Sequence, residues 1–69
     1  MPSSVIRRYD YAADERRLRI LFTSGETYDY FDVPPEVKAG LDEAGSRGRY
    51  FGQRIRDAYR FRRLVSSAR

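Results

Sequence analysis

From Arg17 the chain alternates in character: Leu18, Ile20 and Phe22 take one parity, and Arg17, Arg19, Leu21 and Thr23 the other. That is the period of a β-strand with one buried face. Residues 4–11 are rich in β-branched and aromatic types and predict an earlier strand, and the polar segment 12–16, with Asp14 and Glu15, predicts a turn between the two. Ser24-Gly25 separates the alternating run from a third strand at residues 26–31, with glycine supplying the positive φ of a tight hairpin. In that strand Tyr28 and Tyr30 share one face, and Thr27, Asp29 and Phe31 share the other. Ile6 and Tyr9 both suit a core yet have opposite parity, so either a bulge lies between them or one packs at an edge.

The period then changes. Pro34-Pro35 ends the strand, since neither residue can donate a ladder hydrogen bond, and a proline followed by Glu36 suits the first turn of a helix. Val37, Leu41 and Ala44 form one apolar stripe, and Gly45 closes it. After a break at residues 46–48, in which Ser46 is placed to cap a second helix, Phe51, Ile55, Ala58 and Tyr59 supply that helix with its apolar stripe. Arg49, Gln53, Arg56, Arg60 and Arg63 would then line one nearly continuous basic helix face, and Ser66–Arg69 would fray. The order implies an α+β fold: a three-stranded antiparallel meander followed by two helices packed on one face (βββαα). The expected core is Tyr9, Leu18, Ile20, Phe22, Tyr28, Tyr30, Val37, Leu41, Phe51, Ile55 and Tyr59.

Composition narrows the chemistry. The 69 residues make a single domain, with a core at about residues 4–63 and flexible ends. A chain of this size has a margin of only about 3–5 kcal/mol over its conformational entropy. It contains no cysteine and no histidine, which excludes a thiol nucleophile, a Cys/His zinc site and histidine-based triads. No stretch reaches the roughly 20 apolar residues of a membrane span, and no signal-peptide pattern precedes the first strand, so a soluble cytoplasmic protein is expected. The net charge of +4 is unevenly distributed. Residues 1–43 carry six Lys/Arg and nine Asp/Glu, a net of −3, whereas residues 44–69 carry eight Arg and only Asp57, a net of +7.

An ordered set of short motifs resembles the KTSC domain, a small bacterial module named after the C-terminal region of some lysyl-tRNA synthetases. The set is Tyr9-Asp10, Leu18-x-Ile20-x-Phe22, Ser24-Gly25, Tyr28-x-Tyr30, Val33-Pro34, Ser46-x-Gly48-x-Tyr50-Phe51 and Ile55-x-x-x-Tyr59, covering about residues 4–60. Many members carry asparagine after the Tyr-Phe pair, where this chain has Gly52. The resemblance implies a βββαα-like fold and brings RNA binding as a role suggested for the family.

Each chemical feature has a plain structural reading beside it. Tyr28 and Tyr30 are either core or a stacking platform for bases, with core favoured because the two helices need a sheet face to cover. The opposite sheet face, with Arg17, Arg19, Leu21, Thr27, Asp29 and Phe31, is either a partner surface or an open face laced by cross-strand Arg–Asp pairs. Ser46, Arg47, Gly48 and Arg49 are a helix–helix connector and a candidate phosphate contact at a helix N-terminus. Arg56, Arg60 and Arg63 extend that basic surface, which is either simply solvated or meets a polyanion. The paired carboxylates Asp14/Glu15, Asp29/Asp32 and Asp42/Glu43 read as solvated charge, and no phosphate-binding or dinucleotide fingerprint occurs. The expectation is therefore a binding module with no catalytic residues, no metal and no small-molecule cofactor. Its partner would be RNA or another polyanion, or alternatively a protein docked on the arginines or the open sheet face.

Overall fold

The computed structural model describes residues 6–64. The start of the expected first strand, Ser4 and Val5, and the expected fraying of Ser66–Arg69 lie outside the described residues. In chain order the elements are β1 (Ile6–Ala12), β2 (Arg17–Phe22), β3 (Thr27–Tyr30), α1 (Pro35–Glu43), α2 (Arg47–Arg54) and β4 (Phe61–Leu64). The strands form one antiparallel sheet in the order β1-β2-β3-β4. The helical pair is inserted between two strands that lie side by side. Among the described residues, no helix is long and apolar enough to cross a membrane.

The α+β class and the three-stranded meander agree with the sequence, but the sheet has a fourth strand. The second helix stops at Arg54, so the expected continuous basic helix face does not exist. Arg56 lies in the turn after α2, Arg60 directly precedes β4, Arg63 lies within β4, and Ala58 is exposed rather than part of an apolar stripe. Two physical reasons favour this path. Continuing the helical stripe from Ile55 and Ala58 would place Arg62 at its next buried position. Turning back instead pairs the free edge of β3 with Phe61–Leu64 and lays the Phe61 ring against Tyr28 and Tyr30.

Register explains which residues reach the core. Tyr9, Ile20 and Tyr28 lie opposite one another across three strands, as do Tyr11, Leu18 and Tyr30. A register shift between Ile6 and Arg8 places Ile6 opposite Phe22 on the same face as Tyr9, which resolves their opposite parity as a bulge. Leu18, Ile20, Phe22, Tyr30, Val33, Leu41, Phe51 and Ile55 are buried in one cluster. Tyr9, Tyr28, Val37 and Tyr59 are only partly buried against it, as are Ile6, Tyr11 and Tyr50.

The turns fix this arrangement. Gly25 has φ +96° in the β2–β3 hairpin, where Phe22 and Glu26 close a backbone hydrogen bond of 2.9 Å. After β3 the chain reverses through Asp32, a left-handed residue with φ +59°. Val33 is then pinned at both backbone groups: its N–H donates to the Arg16 carbonyl at 2.9 Å, and its carbonyl accepts from the Tyr11 hydroxyl at 2.6 Å. Pro35 opens α1 in the first-turn position expected for proline. That helix ends on Ala44 in extended backbone rather than on a left-handed Gly45. The Ser46 hydroxyl caps α2 by accepting the Arg49 N–H at 3.3 Å. Where the helices meet, Tyr50 lies so close over Gly40 that a Cβ there would collide with its ring.

Phe51 joins helix to sheet. It is 3% exposed and meets Phe22 and Tyr30 edge-on, at ring-centroid distances of 5.3 and 5.4 Å. Replacing a buried phenylalanine by alanine costs about 3–5 kcal/mol, which matches the whole margin expected of a domain this small. Phe51→Ala is therefore expected to be largely unfolded in water at 25 °C, checked by circular dichroism and urea titration against the wild type.

Candidate nucleic-acid interface

The candidate anion-binding arginines fall into two groups, one at the start of α2 and one around β4. The first is at the start of α2. Arg47 and Arg49 occupy its first turn beside Gly48, with no acidic residue in that turn, so two cations sit where the helix dipole is already positive. The Arg47 guanidinium lies over the Tyr9 ring at 5.7 Å. Tyr9 in turn donates its hydroxyl to Asp42 on α1, which also accepts from Lys38 at 2.8 Å. Lys38 and then Tyr9 hold the Asp42 carboxyl below its usual range, while burial and then the Asp42 bond raise the Tyr9 phenol. The Tyr-Asp motif of β1 thus contributes the ring on which Arg47 rests.

The second group surrounds β4, at the far edge of the sheet from Tyr9. Arg63 lies opposite Tyr28 and Phe61 opposite Tyr30, so both project on the helix-covered side. Phe61 is 53% exposed, with its ring centroid 5.6 Å from both Tyr28 and Tyr30. The Tyr28 and Tyr30 rings stack on each other at 6.3 Å. Tyr30 is buried, and that burial, followed by the neighbouring Tyr28, pushes its phenol up to about 12; Arg56 acts in the opposite direction and Asp57 reinforces the rise. Arg56 and Asp57 lie in the turn between α2 and β4. Arg60 stands over the Phe31 ring at 5.6 Å and is 3.8 Å from Asp32, while Arg63 is 3.9 Å from Glu26.

Ser46, Arg47, Gly48 and Arg49 are thus brought together at one site, and Arg56, Arg60 and Arg63 along another edge. A single helix face does not unite the two. Phe61 escapes the sequence reading because the arginine spacing suggested a helix. The alternation Tyr59-Arg60-Phe61-Arg62 is the signal that points to a strand.

The uncovered face of the sheet has a different character. Across the four strands it presents Asp10, Arg19, Asp29 and Arg62 in register, a row of alternating charge. Arg19 grips Asp29 with two hydrogen bonds of 2.7 and 3.0 Å. The Asp29 side chain is 6% exposed although it lies on the open face. Opposite charges alternate along this row, whereas the arginines of α2 have no carboxylate within 4.0 Å among the described residues and Arg60 and Arg63 have only long, exposed pairs.

Together these features define a small α+β domain with one charge-matched open sheet face and an arginine-rich helical side. The chain belongs to the KTSC domain family, whose model matches residues 2–59. It is 43% identical over 61 residues to a lysine–tRNA ligase of Nostoc punctiforme, covering 88% of this chain and 11% of the ligase. Ligases of Trichormus variabilis and a Nostoc strain match at 39% over the same length. The chain thus spans about a ninth of the length of these relatives, 11% in each case. An uncharacterized protein of Stutzerimonas stutzeri is 40% identical over 65 residues, 93% of this chain and 92% of that one. The crystal structure of a KTSC domain protein from Yersinia pestis superimposes with a TM-score of 0.86 at 32% identity, covering 94% of this chain and 92% of that one.

The Arg19–Asp29 pair makes a pH prediction. Arg19's hydrogen bonds hold the Asp29 carboxyl below its ordinary value despite burial. Its contribution is therefore complete above the unfolded carboxylate value of about 3.9 and is lost as pH falls through the lower folded value. Asp29→Asn should lower stability by about 1–2 kcal/mol at pH 7, the figure being modest because Arg19 stays half-exposed. Urea midpoints should converge for the two proteins as pH falls below about 3.9.

Proposed function

We propose that this chain is a small RNA-binding module, without catalytic activity of its own, acting in the cytoplasm. Arg47 and Arg49 at the start of α2 and Arg56, Arg60 and Arg63 around β4 contact the phosphate backbone. The observation that carries this reading is an uncompensated charge. Residues 44–64 hold seven arginines against Asp57, and among the described residues Arg47, Arg49, Arg54 and Arg56 have no carboxylate within 4.0 Å. The surface pairs of Arg60 and Arg63 are long and exposed, worth at most about 1 kcal/mol each, so a phosphate readily displaces them. Guanidinium groups suit phosphate because they donate two parallel hydrogen bonds.

The relatives support RNA over other polyanions, since those sharing this segment include lysine–tRNA ligases. The charge-matched row on the open sheet face argues against that surface as the anion site.

Binding through about four phosphates gives a slope of log K against log salt near −3 to −4. Fluorescence anisotropy with labelled short RNA from low to moderate salt should show that slope. Arg49→Ala and Arg56→Ala should each reduce its magnitude by roughly 0.7–0.9. Absence of binding at about 50 mM salt, where the screening length is still near 14 Å, would exclude the reading.

A further inference from the structure

The geometry points to Phe61 as a stacking platform for an unpaired base, which makes single-stranded RNA the preferred ligand of this domain. The inference rests on the RNA reading above and adds what that reading does not contain: a base-contacting residue and a choice of strand state. Phe61 is the one large apolar side chain among the described residues that is left exposed, at 53%. Its position is fixed by β4 pairing and by the Tyr28 and Tyr30 rings 5.6 Å away. The ring is therefore held by the sheet on one side and open on the other.

Charge supplies the second argument. Arg63, two residues along the same strand face, is 60% exposed, and Arg56 is exposed in the turn that follows α2. The Arg63 guanidinium, 3.9 Å from Glu26, thus shares the strand face of the ring. An extended strand can place a base on the ring while a flanking phosphate meets Arg63. A duplex keeps its bases stacked internally and offers only backbone. Stacking is also sequence-tolerant, because every base has a π-face.

The test uses the whole chain with a short unstructured oligouridine and a short RNA duplex of equal length. Wild type is expected to bind the oligouridine more tightly. Phe61→Ala should weaken oligouridine binding roughly 5- to 150-fold and leave duplex affinity and the salt slope unchanged. Phe61→Trp keeps an aromatic face and installs a single tryptophan in a chain that has none. Its emission should be quenched to saturation by the oligouridine and not by the duplex. Equal losses on both RNAs for Phe61→Ala, or unquenched Trp emission on saturating oligouridine, would overturn the platform while leaving the arginine contacts standing. If the wild type binds neither RNA, the RNA reading fails, and the platform with it.

Discussion

The edge-on contact of Phe51 with Phe22 and Tyr30 is the constraint on which the rest of the molecule depends. Two helices of nine and eight residues are too short to be stable alone, so packing on the sheet must supply their stability. Phe51 and Ile55 make that packing from the α2 side, and Leu41 makes it from α1. The N–H groups of Ile55 and Arg56 both close on the Phe51 carbonyl, at 3.0 and 2.9 Å, and the helix ends there. The chain then turns back along β3, and its remaining arginines are distributed around a sheet edge.

Much of the fold could be read from the residues. The alternation through Leu18, Ile20 and Phe22, the Ser24-Gly25 turn and the Pro34-Pro35 boundary each obey a local rule that tertiary context did not override. The fourth strand was hidden because two patterns compete after Ile55. Arginine spacing fits a helix, while Tyr59-Arg60-Phe61-Arg62 fits a strand, and only the unpaired edge of β3 decides between them. That edge is a fact of the assembled sheet, invisible in any local window. Val33 and Asp29 escape the core reading for a related reason: each is buried by partners distant in sequence, Arg16 and Tyr11 for one and Arg19 for the other.

The candidate site was legible as residue types and not as a shape. Ser46 caps α2 as its position suggested, and Arg47 and Arg49 flank Gly48 in the first turn. Their support by Tyr9, itself fastened to Asp42, depends on β1 meeting the helices and has no local signature. The predicted helix face became two clusters near opposite sheet edges. The same rearrangement left Phe61 exposed among arginines, while Tyr28 and Tyr30 went mostly to packing.

Charge is segregated as cleanly in space as along the chain. The open sheet face balances its charges in register, whereas among the described residues Arg47, Arg49, Arg54 and Arg56 have no carboxylate within 4.0 Å and Arg60 and Arg63 have only long, exposed pairs. A protein under no demand to meet an anion gains nothing from that imbalance, which costs self-repulsion. The most direct test is an NMR titration of isotope-labelled protein with short single-stranded RNA. Saturable amide shifts are expected at Arg47, Arg49, Arg56, Phe61 and Arg63, with Arg19 and Leu21 on the open sheet face unmoved. Saturating RNA that shifts only the open sheet face, or no residue at all, would contradict this expectation.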